Sequence, residues 1–181
     1  SISPYWILLD SFLIIIFIGT VLLTLPISSA TGERVPVIDS LFTTTSAVAV
    51  TGLVVNDVST TFSLFGKTVI IILIQLGGLG IMTFSSIIVL LISKKISYRT
   101  KKIVQEDLNY NTLFDIQKYI KKVVKTVLFI EFLGAFCLFF TFIKKYSFWK
   151  AVYYSVFHSV SAFCNAGFSL FSDNLGGYRS N

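Results

Sequence analysis

The chain has 181 residues, of which 54% are hydrophobic and only 13% are charged. Soluble globular domains carry about 25% charged residues, so this composition argues against a water-soluble domain and indicates an integral membrane protein. The net charge of +6 comes from basic residues that flank apolar segments. We interpret them as a topology signal rather than as a nucleic-acid-binding surface. The two cysteines, Cys137 and Cys164, have no spacing typical of a disulfide framework or a metal site.

Three apolar segments are predicted to cross the membrane as helices. The first two lie in charge-free runs, residues 11–32 and 68–93, each longer than the ~20 residues that span hydrocarbon. The third, residues 126–143, is interrupted only by Glu131 and can be extended back to Tyr119. A signal peptide is the alternative for the first segment, but its start lacks Lys and Arg and its apolar run is too long. We predict retained helices at about 5–26 and 66–93, and we expect the natural N-terminus to lie upstream.

The basic residues are distributed unevenly along the chain. Nine of the fifteen fall between the second and third apolar segments, namely Lys94, Lys95, Arg99, Lys101, Lys102, Lys118, Lys121, Lys122 and Lys125. The positive-inside rule therefore places residues 94–125 in the cytoplasm, and residues 26–65 and 144–181 outside. Three lysines beyond residue 143 run against the rule without reversing the imbalance. Residues 103–116 fit either a short amphipathic helix on the membrane surface or a solvated linker.

An internal repeat emerges when Ser46 is aligned with Ser161, an offset of 115 residues. Residues 42–53 read FTTTSAVAVTGL and residues 157–168 read FHSVSAFCNAGF, so Phe, Ser, Ala and Gly coincide. Each copy follows a predicted spanning helix and a helix-start signal, and we expect Asp39 or Ser147 to cap the short helix that follows. That helix, of about 8 to 14 residues, is too short to cross and indicates a re-entrant or interfacial segment.

A re-entrant chain must turn back at membrane depth, where non-helical backbone is tolerated only if it is buried in protein or lines a water-filled path. Carbonyl oxygens of the turn can then replace the hydration shell of a cation. Aligning successive carbonyls pushes some residues to positive φ, which glycine alone adopts without steric cost, and the negative C-terminal end of the short helix favours a cation. A single such glycine would be read as a turn, but two equivalent copies favour a selectivity filter. Its predicted ion-binding residues are Val50, Thr51, Gly52, Leu53, Asn165, Ala166, Gly167 and Phe168.

Three segments of the chain resemble the Ktr/Trk/HKT superfamily of potassium transporters. Residues 45–53 (TSAVAVTGL) and 161–170 (SAFCNAGFSL) are similar to its first two pore loops. Residues 74–84 (IQLGGLGIMTF) are similar to the second helix of the first repeat in the bacterial Ktr branch, which suggests a KtrB-like membrane pore subunit. The resemblance implies an all-α integral membrane fold of helix, pore-loop, helix repeats, four around one pore with one filter glycine each.

The resemblance also implies a division of the chain and a function. Residues 1–93 would be the first repeat, with pore helix and filter at about 38–55. Residues 94–117 would be a basic cytoplasmic linker, and residues 118–181 the first helix and pore loop of a second repeat. The implied function is potassium translocation across the bacterial inner membrane by a multi-pass protein. Gly52 points to potassium, because a serine there accompanies sodium transport in plant relatives.

The resemblance further implies partners for the protein. It also implies that the chain is incomplete. No covalent cofactor is expected; potassium is the substrate, and sodium is an expected activator. The expected partners are membrane lipid, a second copy in a homodimer of full-length subunits, and a cytosolic nucleotide-binding regulatory ring. Because the family uses four filter glycines and the chain offers two, we expect it to be the N-terminal half of a longer protein.

Several further residues stand out within the apolar segments. For Gly77, Gly78 and Gly80 we favour close packing, with the short pore helix as a neighbour. Gln75 is a candidate hydrogen-bond donor to a re-entrant backbone. Glu131 follows Lys125 by six residues, which places it near the predicted membrane interface, where it would be hydrated or paired, and we favour interfacial pairing over ion binding.

His158, Asp57 and Asp173 each allow two interpretations. His158 is either a satisfied packing residue, which we favour, or a pH sensor. The two aspartates follow the loops and would either concentrate cations at a pore mouth or be ordinary loop carboxylates. Competing classes are a sodium/potassium-coupled or other cation secondary transporter and a non-transporting scaffold. An enzyme is the least supported class, since no nucleophile and base pattern is present.

Overall fold

A computed structural model describes residues 4–96 and 112–178. Within these two ranges the backbone forms helices, turns and one isolated β-bridge, which confirms an all-α fold for the described residues. The helices are α1 (Pro4–Thr24), α2 (Val37–Val48), α3 (Val58–Thr61), α4 (Leu64–Ile96), α5 (Thr112–Phe142) and α6 (Phe148–Phe163). Short 3-10 turns occur at Pro26–Ser28 and Gly176–Tyr178.

The three long helices, α1, α4 and α5, occupy the apolar segments. Residues Ile120–Phe142 of α5 are long and apolar enough to cross a membrane, with 11% of their most apolar window buried. Leu9–Thr24 and Leu64–Gly80 are shorter apolar helical stretches. Phe132, Phe136 and Phe140 leave more than half of their surface exposed on α5. A helix with so little of its apolar surface covered is typical of a membrane span.

The chain forms two compact units, and the structural repeat lies in one of them. The first unit comprises Ser1–Gly78 with Ile130–Asn181, and the second comprises Leu79–Phe129. Of the predicted linker 94–117, residues 97–111 lie outside the described residues, while residues 94–96 belong to α4 and residues 112–117 belong to α5. The choice between a surface helix and a linker at 103–116 therefore falls mainly outside the described part of the chain.

The core of the first unit is built around the two short helices and the start of α4. Its fully buried apolar side chains include Leu23, Ala47, Val48, Ile70, Ile74, Phe157 and Ala166. Gly19 lets α1 approach both neighbours, since a Cβ there would lie 2.6 Å from Thr44 Cγ2 and 2.8 Å from Leu73 Cδ2. Small residues at such contacts allow helix backbones to come close in lipid.

A clamp of backbone hydrogen bonds, here called the Ser28–Ser63 clamp, joins the two ends of the connection between α1 and α4. Ser63 N–H donates to Ser28 O at 2.9 Å, and Ala30 N–H donates to Thr61 O at 2.9 Å. The Ser63 hydroxyl adds a bond to Ile27 O at 2.6 Å. The segment between these points, which contains α2 and the loop after it, is therefore held as a closed loop.

The starts of the two short helices differ from the prediction. Pro36 is the N-cap of α2, and Asp39 lies within the first turn, where its carboxylate accepts a bond from Asn56 Nδ2 at 2.8 Å. The prediction that Asp39 caps the helix is wrong, although a negative charge in this turn still suits the helix dipole. Ser147 is the N-cap of α6 by position, but its hydroxyl makes no capping bond. Helix α6 has 16 residues, more than expected.

Candidate functional site

Helix α2 ends in a Schellman motif, in which the chain turns back on the last helical carbonyls. Val50 N–H donates to Ala47 O at 3.3 Å, and Thr51 N–H donates to Ser46 O at 2.9 Å. This pair of bonds defines the motif and requires the residue after the cap to adopt a left-handed conformation. Val50 does so, with φ 56°.

Helix α6 ends in the same motif, 115 residues later. Asn165 N–H donates to Ala162 O at 3.0 Å, and Ala166 N–H donates to Ser161 O at 2.8 Å. Asn165 has φ 61°, and asparagine is, after glycine, a usual residue at this position. The two helices of the repeat therefore share one termination geometry, bond for bond.

Both loops continue with a second left-handed residue, two positions further on. Gly52 has φ 75° and Gly167 has φ 71°. The sequence led us to expect positive φ at these glycines only, so the left-handed conformation of Val50 and Asn165 was missed. An Asn-x-Gly pattern was the available signal in the second loop, whereas the first gave none, since a β-branched residue at positive φ is a genuine outlier.

The two loops meet backbone to backbone. A Cβ placed on Gly52 would collide with the carbonyl oxygen of Ala166 and lie 3.3 Å from Gly167 Cα. A Cβ on Gly167 would lie 3.7 Å from Gly52 Cα. Two segments more than a hundred residues apart in the chain are thus in direct contact at their glycines, and Gly52 has no room for a side chain.

The side chains of the two loops have different surroundings. Thr51 and Leu53 are exposed, and Leu53 shows 62% of its surface. Their counterparts Ala166 and Phe168 are buried, at 0% and 3% exposure. The eight predicted site residues therefore share a backbone path in two copies, while their side chains do not form two matched environments.

A serine of each short helix hydrogen-bonds to the loop that follows it. Thr51 Oγ1 donates to Ser46 Oγ at 2.9 Å, and Ser161 Oγ donates to Phe168 O at 2.6 Å. These are the two serines on which the repeat was aligned. We did not predict that these serines hold the loops, although the alignment of one serine with the other in the repeat could have indicated it.

Two adjacent glycines of α4 contact the ends of the two short helices. A Cβ on Gly77 would lie 2.7 Å from the Val48 carbonyl carbon and 2.9 Å from Val48 Cα. A Cβ on Gly78 would lie 2.5 Å from Cys164 Sγ and 3.0 Å from its Cβ. The predicted close packing of this stretch against the short helices is confirmed for these two residues.

Glu131 is buried beside the end of α6, with 6% of its surface exposed. Its carboxylate accepts a long contact of 4.0 Å from the Cys164 thiol, and its backbone carbonyl accepts a bond from Ser159 Oγ at 2.6 Å. Gln75 approaches the carboxylate, but its buried Nε2 forms no hydrogen bond of normal geometry. The predicted pairing at the membrane interface is wrong: the carboxylate is buried against Cys164 and Gln75, because α4 and α6 pack against α5 at this position.

His158 is a satisfied packing residue, as favoured from the sequence. Its Nδ1–H donates to Tyr154 O at 2.7 Å, and its Nε2 accepts from the backbone N–H of Leu170 at 3.3 Å. The imidazole also stacks on Phe171, with ring centroids 4.8 Å apart. The histidine thereby fixes the segment that leaves the second loop.

The two aspartates after the loops take part in local hydrogen bonds. Asp57 is the N-cap of α3 and accepts a bond from Ser59 N–H at 2.7 Å. Asp173 accepts a bond from Gly177 N–H at 2.9 Å. Both contacts fit the interpretation as loop carboxylates.

The sequence is similar to those of known cation transport proteins. The model of the TrkH family, described as a cation transport protein, matches residues 2–181. The chain is 44% identical to Ktr system potassium uptake protein B of Bacillus subtilis, over 97% of this chain and 39% of the relative. It is 38% identical to the Vibrio alginolyticus protein of the same name, over 93% of this chain and 37% of the relative.

The name of a third relative mentions sodium as well as potassium. The chain is 38% identical to the potassium/sodium uptake protein NtpJ of Enterococcus hirae, over 96% of this chain and 39% of the relative. The chain thus spans about two fifths of the length of the curated relatives it matches. Because the family model matches residues 2–181, the chain belongs to the TrkH family of cation transport proteins.

Proposed function

We propose that the complete protein moves potassium ions across the cell membrane through a pore, and that residues 50–53 and 165–168 form part of its ion-binding filter. The observation that carries this proposal is the meeting of two identically capped loops at Gly52 and Gly167. In selective pores a ring of backbone carbonyl oxygens replaces the hydration shell of potassium. Two loops with the same backbone path, in contact with each other, would supply two neighbouring parts of such a ring.

The electrostatics of the two short helices support a cation at this place. Both loops follow directly on helix C-termini, at Ala49 and Cys164. Each C-terminus carries a partial negative charge of about half an electron. An ion held where the loops meet is therefore stabilised by two helix ends as well as by carbonyl oxygens, without the desolvation that a buried carboxylate would require.

The architecture and placement follow from the same proposal. The helix, loop, helix unit of residues 1–93 is the first pore-loop repeat, residues 94–117 are a linker, and residues 118–181 begin a second repeat. The complete protein would be a multi-pass protein of the bacterial cell membrane, with residues 94–125 in the cytoplasm and both loops outside. Two relatives are named for a Ktr system; by analogy, we propose a homodimer regulated by a cytosolic nucleotide-binding ring.

A sodium/potassium-coupled transporter is the alternative function. It is favoured by the relative named as a potassium/sodium uptake protein. The two functions differ in one measurable respect: a coupled transporter carries sodium into the cell together with potassium, whereas a pore carries potassium alone, even where sodium activates it.

The test is growth at limiting potassium of cells that lack their own uptake systems and carry the complete gene. Gly52→Ser and Gly167→Ser are each expected to raise the potassium needed for half-maximal growth about tenfold or more, equivalent to about 1.4 kcal/mol of lost ion stabilisation. Gly32→Ser is the matched control, because Gly32 also has positive φ, at 77°, but has no atom within 4 Å of its Cβ position. It should grow like the parent.

Membrane expression of every variant is measured alongside growth. If well-expressed Gly52→Ser and Gly167→Ser variants match the Gly32→Ser control, the two glycines have only a structural role and the filter assignment fails. If the parent takes up sodium together with potassium in a fixed ratio, the coupled alternative replaces the pore.

A further inference from the structure

A groove separates the first turn of α4 from the first turns of α6, away from the two loops. Its volume is about 640 Å³, within the range of small-molecule sites. One end carries the amines of Lys67 and Lys150, and the remaining wall is formed mainly by Trp149, Val152, Tyr153 and Val156. The groove is therefore amphipathic, with cations at one end and apolar surface along the other.

The cationic end keeps an excess of positive charge. Lys67 and Lys150 both line the groove, and Asp57 is the carboxylate whose charge acts on Lys67. The Lys150 ammonium also lies over the rings of Tyr146 and Tyr154, 5.2 Å and 5.5 Å from their centroids. That carboxylate already accepts a bond from Ser59 N–H. Lys67 Nζ donates to Ser59 O at 2.7 Å, which uses one of its three N–H groups and leaves two for a ligand.

Both lysines also lie at helix N-termini. Lys67 is in the first turn of α4, and Lys150 is in the first turn of α6. Ser147 provides no side-chain cap for α6, and the first N–H of that helix to bond within it is that of Ala151. The positive ends of two helix dipoles thus add to two ammonium groups, a combination that favours an anion such as phosphate.

The rest of the groove suits a hydrocarbon chain rather than water. Val156 and Trp149 leave 43% and 80% of their surfaces exposed, and both line the groove. Trp and Tyr are enriched where a protein crosses the boundary between lipid headgroups and hydrocarbon. Here Trp149 and Tyr153 lie next to the cations, as that boundary requires.

We propose that this groove binds one anionic phospholipid, with its phosphate between Lys67 and Lys150 and an acyl chain along Val152 and Val156. The inference goes beyond the proposed potassium transport and does not depend on which ion is carried. A free phosphate would use the same ammonium groups but would leave the apolar wall uncovered, which is why a phospholipid is the assigned ligand.

The test counts lipids bound to the purified complete protein by native mass spectrometry, in detergent titrated with phosphatidylglycerol or with phosphatidylcholine of the same acyl chains. The double variant Lys67→Gln/Lys150→Gln is expected to weaken phosphatidylglycerol binding at one site on the order of 30-fold, given the usual contribution of two lysines to binding an anionic membrane surface. Lys144→Gln/Lys145→Gln removes the same charge outside the groove and should leave that site unchanged.

A second variant, Val156→Trp, fills the apolar part of the groove without changing its charge and should also remove the bound lipid. Equal phosphatidylglycerol binding by the Lys67/Lys150 and Lys144/Lys145 double variants would overturn the proposal, as would equal binding of phosphatidylcholine. If Val156→Trp has no effect and inorganic phosphate displaces the anion, the site binds phosphate and not a phospholipid. Each variant must first elute from a size-exclusion column at the same volume as the parent, so that only correctly assembled proteins are compared.

Discussion

Adding one methyl group to Gly77 should disable the first loop, whereas adding one to Gly78 should not. In Gly77→Ala the new Cβ would lie 2.7 Å from the Val48 carbonyl carbon. Carbon atoms pack at about 3.5 to 4.0 Å, so the end of α2 has to move by about 1 Å. Both contact atoms belong to the backbone, so no side-chain rotation can relieve the clash. We expect a destabilisation of about 1–3 kcal/mol and a clear loss of growth at limiting potassium.

In Gly78→Ala the new Cβ meets the side chain of Cys164, 2.5 Å from Sγ. The thiol can rotate away or be removed, so Cys164→Ala should restore part of any loss in the double variant, although the Cβ that alanine keeps lies 3.0 Å from the new methyl group. Val48→Ala, by contrast, should restore nothing in the Gly77→Ala background, because the clash there involves main-chain atoms. The pair of double variants therefore separates a side-chain contact from a backbone contact.

The assay combines potassium-limited growth with thermal unfolding of the purified complete protein in detergent. Equal effects of Gly77→Ala and Gly78→Ala, with no rescue of the latter by Cys164→Ala, would refute the reasoning. Normal growth of well-expressed Gly77→Ala would show that Gly77 of α4 does not lie in direct contact with the Val48 backbone of α2.

Two further predictions concern the second loop. Asn165→Val should lower the free energy of unfolding by about 1–2 kcal/mol, because a β-branched residue is forced into the left-handed conformation. Asn165→Gly should be nearly neutral. Equal melting temperatures of the two variants in detergent would contradict this prediction. His158→Phe should cost about 1–3 kcal/mol, because it leaves the buried N–H of Leu170 without an acceptor. Hydrogen exchange at Leu170 checks it, and unchanged protection would show that His158 does not hold this segment.

Much of the fold could be predicted because a helix that crosses a membrane must be long, apolar and almost free of charge. Charge-free runs located α1 and α4, and the apolar run around Glu131 located α5. The short helices were predicted from the internal repeat, since FTTTSA and FHSVSA align without a gap. The glycine contacts of α4 were also anticipated, because small residues in an apolar helix usually mark a close neighbour.

What could not be predicted depends on tertiary contacts. Val50 carries no local preference for positive φ; the two hydrogen bonds at the end of α2 and the packing around it impose that conformation. Glu131 was misjudged because its distance along the helix from Lys125 says nothing about which neighbours cover it. Asp39 was misassigned as a cap because Pro36, with its fixed φ, was an equally good place for the helix to begin.

The Ser28–Ser63 clamp has a consequence for biosynthesis. Its bonds join residues 27–30 to residues 61–63, so every partner is already made once the ribosome has passed the start of α4. Domains generally form in the order in which they are synthesised, and closing a loop of this length costs little more entropy than closing one half as long. The connection between α1 and α4 can therefore form the clamp while the residues that follow α4 are still being translated. The second loop then docks against a surface that already exists.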